Sequence, residues 1–347
     1  MSPRVTVLMA VYNGERFLCT AIESILNQKY RDFEFLIIDD ASTDSTAQII
    51  AGISDARVRV IRNVTNLGAG GARNVGLANA RGEFVAILDA DDIALPDRLE
   101  IQVSILNTYS NVVLVGSSVE LIDPFDARLG ILPVIQDPIV LRWELYFRNP
   151  IPHSSVMYRR EPALAVGGYD VMLPPAEDYA LWSNLATNHT LIQIPQVLTR
   201  YRLHDVSLTS EKPMALHRHA REIVRQNIYR LIRKNVSYQV AAFLNGDVLS
   251  GNDVKETYNI LEESIIQFHK QHHIPSNQFL LFESVMSYLL RLARQDESQR
   301  FRILNLAWRY IARYAPLGIA SPRVWLFVAR IVTPQMMRKS LHHVYSK

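Results

Sequence analysis

Four short apolar segments, rich in β-branched residues, alternate with stretches of helical spacing over about the first ninety residues. These segments are residues 5–11, 33–38, 58–61 and 84–88. Continuous apolar runs of this length are typical of strands that are buried on both faces of a sheet. Because strands that alternate with helices form βαβ units, the sequence predicts an α/β fold with a mostly parallel sheet flanked by helices.

After the fourth segment the pattern becomes less regular and then changes to helices alone. Further strands are predicted at residues 112–122, 154–158 and 190–199. An apolar stripe at helical spacing covers residues 216–232, with Arg and His on the opposite face. More helices are predicted at about residues 254–271, 277–294, 299–314 and 322–331. We therefore expect an α/β domain over residues 1–210 and an all-α region over residues 211–347.

The net charge of +3 is unevenly distributed. Residues 298–347, here called the basic tail, contain nine Arg and Lys residues and no Asp or Glu, interleaved with Trp308, Trp325 and Phe327. Such a basic and aromatic segment predicts contact with an anionic membrane surface, and the alternative is the solvated face of a packed helical subdomain. Since the tail shows no nucleic-acid-binding motif, no nucleic-acid partner is expected.

The sequence also indicates a cellular location. No apolar run approaches the roughly 20 residues that span a bilayer. The chain passes directly from Met1 into the first strand, so no signal peptide is visible. The single cysteine, Cys19, fits a reducing compartment. These features predict a cytoplasmic protein that is peripheral on the inner face of the cytoplasmic membrane.

Three carboxylates follow the fourth apolar segment, at Asp89, Asp91 and Asp92. Ligands of open α/β sheets bind beyond the carboxyl ends of the strands. Neighbouring carboxylates repel one another, and a cation that prefers oxygen ligands, Mg²⁺ or Mn²⁺, would hold them together. The alternative is a solvated turn that caps the following helix, since Asp favours such positions. The cluster by itself is compatible with both interpretations.

Several further motifs occur in a fixed order around this cluster. They are residues 7–14, 24–28, 37–44, 66–68, 72–74 and 82–92. In this order they resemble the nucleotide-binding half of family 2 glycosyltransferases of the bacterial polysaccharide-biosynthesis type. The resemblance covers about residues 4–205 and implies the GT-A fold, a Rossmann-like nucleotide-diphospho-sugar transferase domain, with the all-α region outside it.

The resemblance implies a site for the donor nucleotide formed by Ala10, Tyr12 and Asp40. A carboxylate at Asp40 can accept a hydrogen bond from N3–H of uracil or thymine, which favours a UDP-sugar and, less strongly, a dTDP-sugar. Tyr12 offers a flat face for the base, or else simply packs in its loop. Arg73 has a planar fork that suits a phosphate or a base.

The acidic cluster corresponds to the DXD element of the family. The implied cofactor is Mn²⁺ or Mg²⁺, which acts as a Lewis acid on the departing diphosphate. Asp91 is the first choice for direct ligation, with Asp92 also assigned to the metal, and Asp89 or Asp92 could instead hold the ribose. His204 lies in a Tyr-Arg-x-His element and completes the metal shell or contacts the diphosphate, although a lone His is more often structural.

The second half of the matched region implies the acid–base group. Glu177-Asp178 resembles the Glu-Asp motif of the family, in which the Asp is the general base; a helix cap is the alternative for Asp178. Gly168 lies in the region that resembles the glycine loop, where backbone approaches the donor sugar closely. Glu177 and His153 are also assigned to the nucleotide-sugar, with His153 facing the sugar or acceptor cleft.

These assignments lead to one main hypothesis about function. The chain would be an inverting, metal-dependent glycosyltransferase that uses a UDP-sugar and a glycan or lipid-linked saccharide acceptor in cell-envelope polysaccharide biosynthesis, in an unknown oligomeric state. A sugar-nucleotide pyrophosphorylase is one alternative, but residues 12–15 lack its glycine-rich signature. A non-catalytic nucleotide-binding scaffold is another, and the presence of Asp91, Asp178 and His204 argues against it.

Overall fold

The computed structural model describes residues 2–205, 207, 212–246, 254–274, 279–295 and 300–314. The chain divides into two compact units. The first comprises residues 1–145 and 149–223, and the second comprises residues 146–148 and 224–347. The boundary predicted between residues 210 and 211 falls at a segment outside the described residues and stays a prediction.

The first unit is built on one sheet of nine strands. The strands are β1 (Val5–Val11), β2 (Phe33–Asp39), β3 (Val58–Arg62), β4 (Phe84–Ile87), β5 (Ile93–Ala94), β6 (Val112–Ile122), β7 (Arg128–Leu132), β8 (Met157–Arg159) and β9 (Thr190–Arg202). Their order in the sheet is β3-β2-β1-β4-β8-β6-β9-β5, and β7 pairs with β6 outside this path.

The direction of the strands determines where their ends meet. Strands β3, β2, β1 and β4 are parallel, β8 is antiparallel to β4 and β6, and β9 is parallel to β6. The prediction of a mostly parallel sheet is therefore confirmed. Since β1, β2 and β4 run in the same direction side by side, the residues that follow them lie at one edge of the sheet.

Seven helices accompany this sheet. They are α1 (Leu18–Leu26), α2 (Thr46–Ala51), α3 (Gly68–Asn79), α4 (Arg98–Thr108), α5 (Pro138–Leu145), α6 (Arg160–Ala165) and α7 (Glu177–Asn188). The core under α1 and α4 is made of apolar side chains that alternate along the strands, such as Val5, Val7 and Met9 of β1. Each fully buried side chain of this size stabilises the fold by about 1.5–3 kcal/mol.

One predicted strand is shorter than expected. Residues 154–158 were expected to be extended, but His153–Ser155 form a 3₁₀ turn and only Met157–Arg159 form β8. The turn closes because the amide of Ser155 donates to the carbonyl of Pro152 at 3.1 Å, and the Ser155 hydroxyl donates to the same carbonyl at 2.7 Å. This local hydrogen bonding competes successfully with strand pairing.

Helices are the regular elements formed by the described residues of the second unit, as predicted. Helix α8 (Pro213–Ile232) leads into it from the first unit, and α9 (Tyr238–Asn245), α10 (Val254–His272), α11 (Phe279–Gln295) and α12 (Arg300–Tyr314) follow. Helix α9 begins at a Ser237 cap, whose hydroxyl accepts from the amide of Val240 at 3.2 Å, and ends at Gly246 with φ of 127°.

Only part of the basic tail belongs to the described residues. Helix α12 buries Ile303, Ala307 and Ile311 and exposes Trp308. The remainder, residues 298–299 and 315–347, lies outside the described residues, as does the helix predicted at 322–331. No helix in the described ranges has the length and apolar character needed to cross a membrane.

Candidate active site

A short turn of four residues, Asp89–Asp92, here called the acidic turn, follows β4. It is closed by the amide of Asp92, which donates to the carbonyl of Asp89 at 3.2 Å. The amide of Asp89 donates to the Ser154 hydroxyl at 3.0 Å, which fixes the turn to the 3₁₀ turn before β8. The turn therefore stands at the carboxyl end of β4, where the sequence predicted a ligand site.

Charged and hydrogen-bonding groups surround the carboxylate of Asp89, whose side chain is 25% exposed. It accepts from Nη2 of Arg73 at 2.8 Å and from the Ser154 hydroxyl at 3.1 Å, and Nδ1 of His153 lies 3.1 Å away. Burial by itself would raise the pKa of Asp89, but the charges of His153 and Arg73 outweigh it and hold the pKa well below its usual range. Asp89 is therefore an anion at any physiological pH.

Asp91 of the acidic turn pairs with His204, which follows β9. Nε2 of His204 lies 2.8 Å from Oδ2 of Asp91, and the Asp91 side chain is 30% exposed. The His204 ring packs at 5.1 Å from the Phe17 ring, and its Nδ1 is buried without a hydrogen-bond partner in the described part of the chain. The structure thus brings together two of the three residues that the sequence assigned to the metal.

Asp92, the third of these residues, is only 1% exposed. Its Oδ1 accepts from the amide of Arg202 at 2.8 Å. Burial and the neighbouring charges of Asp91 and Asp89 raise the pKa of Asp92 well above its ordinary value. Asp92 therefore supports the turn from inside, and its assignment to the metal stays a prediction.

The donor atoms at Asp91 and His204 fit a divalent cation. Mg²⁺ is commonly held by one or two carboxylates together with the phosphates of the substrate, rather than by a cage of protein ligands. Over the described residues, no group of three or more His, Cys, Asp or Glu side chains is arranged to hold a metal by itself. One carboxylate and one imidazole on an accessible turn suit Mn²⁺ or Mg²⁺ whose remaining ligands come from a diphosphate.

A buried arginine, Arg98, lies beneath the acidic turn. Its Nη2 donates to the carbonyls of Ile87 and Val156 at 2.6 and 3.0 Å, and its Nε donates to Gln102 at 3.2 Å. Burial lowers the pKa of Arg98 to about 10, although the charges of Asp92 and Asp89 oppose this. Arg98 thus remains a cation and offsets part of the negative charge above it.

The residues predicted to bind the base lie at the carboxyl ends of β1 and β2: Ala10 is within β1, Tyr12 follows β1 and Asp40 follows β2. Tyr12 is 50% exposed and Ala10 is half-buried. Asp40 is buried, and its Oδ1 accepts from Nδ2 of Asn63 at 2.7 Å and from the amide of Leu67 at 2.9 Å. These contacts hold the Asp40 carboxylate in place, and its contact with a base stays a prediction.

Two loops beside Tyr12 are locked to each other. The amide of Asn13 donates to the Ser42 hydroxyl at 3.0 Å, and the amide of Thr43 donates to Oδ1 of Asn13 at 2.8 Å. The amide of Gly14 donates to the Thr46 hydroxyl at 2.9 Å. Because each loop supplies hydrogen-bond partners for the other, the backbone next to the exposed Tyr12 ring is held rigidly.

Arg73 of α3 joins two parts of the site. Its Nη1 donates to Oε1 of Glu177 at 2.6 Å, and its Nη2 donates to Oδ1 of Asp89 at 2.8 Å. Burial would lower the pKa of Arg73, but the two carboxylates outweigh it and raise that pKa. The sequence predicted that this fork contacts a phosphate or base, and the structure shows both of its ends bonded to protein carboxylates.

Asp178 lies in the first turn of α7. Its Oδ2 accepts from Nδ2 of Asn149 at 2.9 Å, and its Oδ1 accepts from the amide of Tyr179 at 2.6 Å. The helix begins at Glu177, Ala176 occupies its N-cap position and no side chain caps it, so Asp178 is not the cap that the alternative interpretation proposed. Burial, assisted by the charge of Glu177, raises the pKa of Asp178, while His153 and Arg73 oppose this.

The charges of Asp178 and of the acidic turn both affect the pKa of Tyr201. Burial is the main cause of the raised pKa of Tyr201, and the carboxylates of Asp92, Asp89, Asp91 and Asp178 all contribute to it. A single side chain therefore experiences all four carboxylates. The hydrogen bonds of Arg73 supply the direct link, since they join Asp89 of the acidic turn to Glu177, the residue before Asp178.

His153 and Gly168 are both held by protein neighbours. Nε2 of His153 lies 3.2 Å from the Tyr169 hydroxyl, and the ring stacks on Trp182 with centroids 6.1 Å apart. Gly168 has φ of +69°, and a Cβ there would lie 2.6 Å from Oδ1 of Asn74. Glycine is therefore required for packing at residue 168. The predicted contacts of His153 and Gly168 with a sugar or an acceptor stay predictions.

Several residues that hold the site together were not found from the sequence. Ser154 and Asn149 supply hydrogen bonds to Asp89 and Asp178, and Arg202 donates from Nε to the carbonyl of Asp91 at 2.8 Å. Arg202 lies two residues before the predicted His204, Ser154 directly follows the predicted His153, and Asn149 lies four residues before His153. Their position next to assigned residues was the available signal, but their partners are more than 25 residues away in the chain.

Comparisons with known proteins agree with this geometry. A model of the family described as glycosyl transferase family 2 matches residues 6–164. An uncharacterized glycosyltransferase of Haemophilus influenzae is 32% identical over 248 residues, which cover 67% of this chain and 75% of that protein. The protein named UDP-Glc:alpha-D-GlcNAc-diphosphoundecaprenol beta-1,3-glucosyltransferase WfgD, from Escherichia coli, is 30% identical over 62% of this chain and 83% of its own length.

Solved structures with similar folds extend over most of the chain. The structure of S. aureus TarS 1-349 in complex with UDP-GlcNAc has a TM-score of 0.56 and 17% identity, and the match covers 92% of both chains. The mannosyltransferase PcManGT from Pyrobaculum calidifontis in complex with GDP-Man and Mn²⁺ has a TM-score of 0.51 and 19% identity, with 96% of this chain and 86% of that chain covered. At these identities the likeness concerns the fold.

Proposed function

Because this chain belongs to glycosyl transferase family 2 and is a glycosyltransferase with the GT-A fold, we propose that it transfers a sugar from a UDP-sugar. The proposed transfer inverts the configuration at the anomeric carbon. The proposed acceptor is a hydroxyl group of a glycan or a lipid-linked saccharide in cell-envelope polysaccharide biosynthesis. A dTDP-sugar is the second choice of donor, because the predicted contact of Asp40 with N3–H does not distinguish uracil from thymine.

The observation that carries this proposal is that candidate partners for a base, for a diphosphate and for a reactive sugar carbon are grouped at one edge of the sheet. Tyr12 and Asp40 follow neighbouring parallel strands, and Asp91 and His204 pair at 2.8 Å on the acidic turn. Asp178 follows Glu177, which Arg73 joins to Asp89 of that turn by hydrogen bonds at 2.6 and 2.8 Å. A nucleotide-sugar likewise presents a base, a diphosphate and a reactive sugar carbon, so each part of the donor has a candidate partner.

Asp178 is the proposed general base. It would remove the proton of the acceptor hydroxyl as that oxygen attacks the anomeric carbon from the face opposite the diphosphate. One such displacement inverts the configuration at that carbon. Because burial raises its pKa, the ionised Asp178 carboxylate is a stronger base than that of an ordinary aspartate.

Asp91 and His204 are the residues proposed to hold Mn²⁺ or Mg²⁺, with Asp92 supporting the turn behind them. When bound, the metal would supply Lewis-acid stabilisation of the charge that develops on the departing diphosphate. The proposal is supported by the pairing of Asp91 with His204 at 2.8 Å, by the 30% exposure of the Asp91 side chain and by the Mn²⁺ named for the structural neighbour PcManGT.

The acceptor part of the proposal rests on the relatives and on the basic tail. The WfgD and WfaP relatives from Escherichia coli are named for a diphosphoundecaprenol-linked GlcNAc acceptor. A lipid-linked acceptor lies in a membrane surface, and the nine basic residues of the tail would attract an anionic surface of that kind. We therefore place the transfer at the cytoplasmic face of the membrane.

Release of nucleoside diphosphate from a panel of UDP- and dTDP-sugars tests the proposal, in the presence of Mn²⁺, Mg²⁺ or EDTA. We expect slow, metal-dependent release of UDP from one donor, and loss of this release in EDTA. Consumption of a nucleoside triphosphate instead would favour a pyrophosphorylase. Donor binding measured by calorimetry without any turnover would favour a non-catalytic scaffold.

A further inference from the structure

One face of α3 contacts the segment that carries the proposed base. Gly70, Arg73 and Asn74 lie three and four residues apart and so share a face of the helix. A Cβ at Gly70 would meet Cγ of Glu177 at 3.4 Å, so the backbone of α3 runs close to the start of α7. Asn74 donates from Nδ2 to the carbonyl of Tyr169 at 2.7 Å and accepts from the amide of Tyr169 at 2.8 Å.

Arg73 extends this contact from α7 to the acidic turn. The Arg73 side chain is 12% exposed and the Glu177 side chain 3% exposed, so the ion pair between them is shielded from water. Within the described ranges, Arg73 donates the one hydrogen bond that the Glu177 carboxylate accepts. The other end of the fork binds Asp89, whose opposite side is held by His153 and Ser154.

We propose that Arg73 is a positioning residue, which fixes the start of α7 to the acidic turn and thereby sets the place of Asp178 relative to the bound donor. The proposal rests on the proposed function for the role of Asp178. It differs from the sequence-based expectation, in which Arg73 itself contacts a phosphate or a base. A planar guanidinium can bridge two carboxylates in this way, whereas the single ammonium of a lysine cannot reproduce both ends of the fork.

The two roles predict different kinetics for Arg73→Lys. If Arg73 positions Asp178, kcat for transfer should fall by about tenfold or more while the donor Kd stays close to the wild-type value. If Arg73 contacts the donor, the Kd for the UDP-sugar should rise while kcat changes little. Calorimetric titration with UDP and Mn²⁺, together with steady-state kinetics, separates the two.

Glu177→Gln provides a second, independent variant. It leaves the contact between Arg73 and Asp89 in place and removes the charge at the α7 end. We expect the same fall in kcat with unchanged binding of UDP, and we expect the double variant to be no slower than the slower single variant, because both act through one contact. Additive losses would overturn the proposal.

Arg57→Lys is the matched control. Arg57 also forms a two-ended ion pair, with Asp55, through Nε at 3.0 Å and Nη2 at 2.7 Å, but it lies before β3 and takes no part in the site. Its replacement should leave kcat and Kd unchanged. An equal loss of kcat in this variant would show that general weakening of the fold, rather than positioning, explains the effect of Arg73→Lys.

Hydrogen exchange tests the contact without any turnover. In Arg73→Lys, the amides at the start of α7 should exchange faster than in the wild-type chain, whereas those of α2 should not change. Unchanged exchange at α7 would overturn the proposal. If the wild-type chain released no nucleoside diphosphate, the proposed function would fail, and the exchange rates would still decide whether Arg73 holds α7 in place.

Discussion

Asp89 and Asp178 are chemically identical groups that their surroundings drive in opposite directions. Burial is the largest influence on the pKa of each. At Asp89, His153 and Arg73 outweigh it and lower the pKa, whereas at Asp178 burial prevails and the pKa is raised. When the pKa values of two like side chains in one site are shifted in opposite directions, the two groups are suited to different roles. Asp89 is suited to anchor the acidic turn, and Asp178 is suited to accept a proton.

Replacement of the proposed base should separate chemistry from binding. In Asp178→Asn the side chain keeps its shape but cannot accept the acceptor proton, so kcat should fall by about 10²–10⁴-fold. The Kd of the UDP-sugar, measured by calorimetry with Mn²⁺ present, should stay close to the wild-type value. Retention of most of the wild-type kcat would show that another group acts as base.

The pH dependence of transfer should report on the same carboxylate. The ionised form is the base, and the pKa of Asp178 is raised above the ordinary value of 3.8. Activity should therefore be lost as the pH falls through this raised pKa, at a higher pH than for an ordinary aspartate. The check is kcat as a function of pH at saturating donor and acceptor. A profile that stays flat until the ordinary pKa would contradict the assignment.

At the scale of elements, the connection between α6 and α7 contains two glycines with positive φ, Gly167 and Gly168, and Gly168 is also closely packed. Gly168 combines φ of +69° with a close approach to Asn74, the α3 residue that bonds to both backbone groups of Tyr169. An L-residue with a side chain is disfavoured by such a backbone angle, and its Cβ would also meet Asn74. The docking of α3 on this connection thus requires the glycine.

Gly168→Ala should destabilise the fold by about 1–3 kcal/mol. Gly130→Ala is the matched control, because a Cβ at Gly130 would meet nothing within 4 Å. The measurement is the free energy of unfolding in urea, and kcat of the folded Gly168→Ala protein would show whether the start of α7 also moves. Equal stability of the two variants would mean that the connection adapts without cost.

The strands of the parallel half of the sheet could be predicted because each is a continuous apolar run. Strands β5 and β7 were not predicted: β5 has only two residues, and β7 is mostly exposed, so neither shows the apolar pattern of a buried strand. Strand β7 forms a hairpin with β6, with five residues between them, whereas the extended form of β5 depends on pairing with β9, which is distant in the chain. Local sequence carries little information about such pairing.

The same limit applies to the candidate site. Asp91, Asp178 and His204 could be assigned because they stand in motifs that a resemblance identifies. The bridge from Arg73 to Glu177 spans 104 positions in the chain, and the burial that raises the pKa of Asp178 exists only in the folded protein. Residue types therefore indicated the chemistry, while the contacts that tune it required the structure.

At the scale of the whole molecule, the residues proposed for catalysis and those proposed for membrane contact lie in different parts of the chain. The residues proposed for transfer all lie in the first unit, between Ala10 and His204. The charge proposed for membrane contact lies in the basic tail, more than ninety residues later. The two properties should therefore be separable by truncation.

Truncation after Tyr314 should test this division while it keeps α12, whose Ile303, Ala307 and Ile311 are buried. It removes five of the nine basic residues of the tail. We expect flotation with vesicles that contain phosphatidylglycerol to weaken, and metal-dependent UDP release to stay at the wild-type rate. Vesicles of phosphatidylcholine alone are the control, since they lack the negative charge. Unchanged flotation of the truncated chain would remove the tail from the membrane proposal.

The charges near the acidic turn affect how a metal ion would bind there, because Arg73, Arg98 and His153 already offset its carboxylates. These three side chains lie against or beneath the acidic turn and offset its charge from within the fold. The turn therefore keeps its form before any ion arrives, and chelation should stop turnover without unfolding the protein. A cation held by Asp91, His204 and a diphosphate would then bind together with each donor and leave with each nucleoside diphosphate. It would not be a permanently bound cofactor.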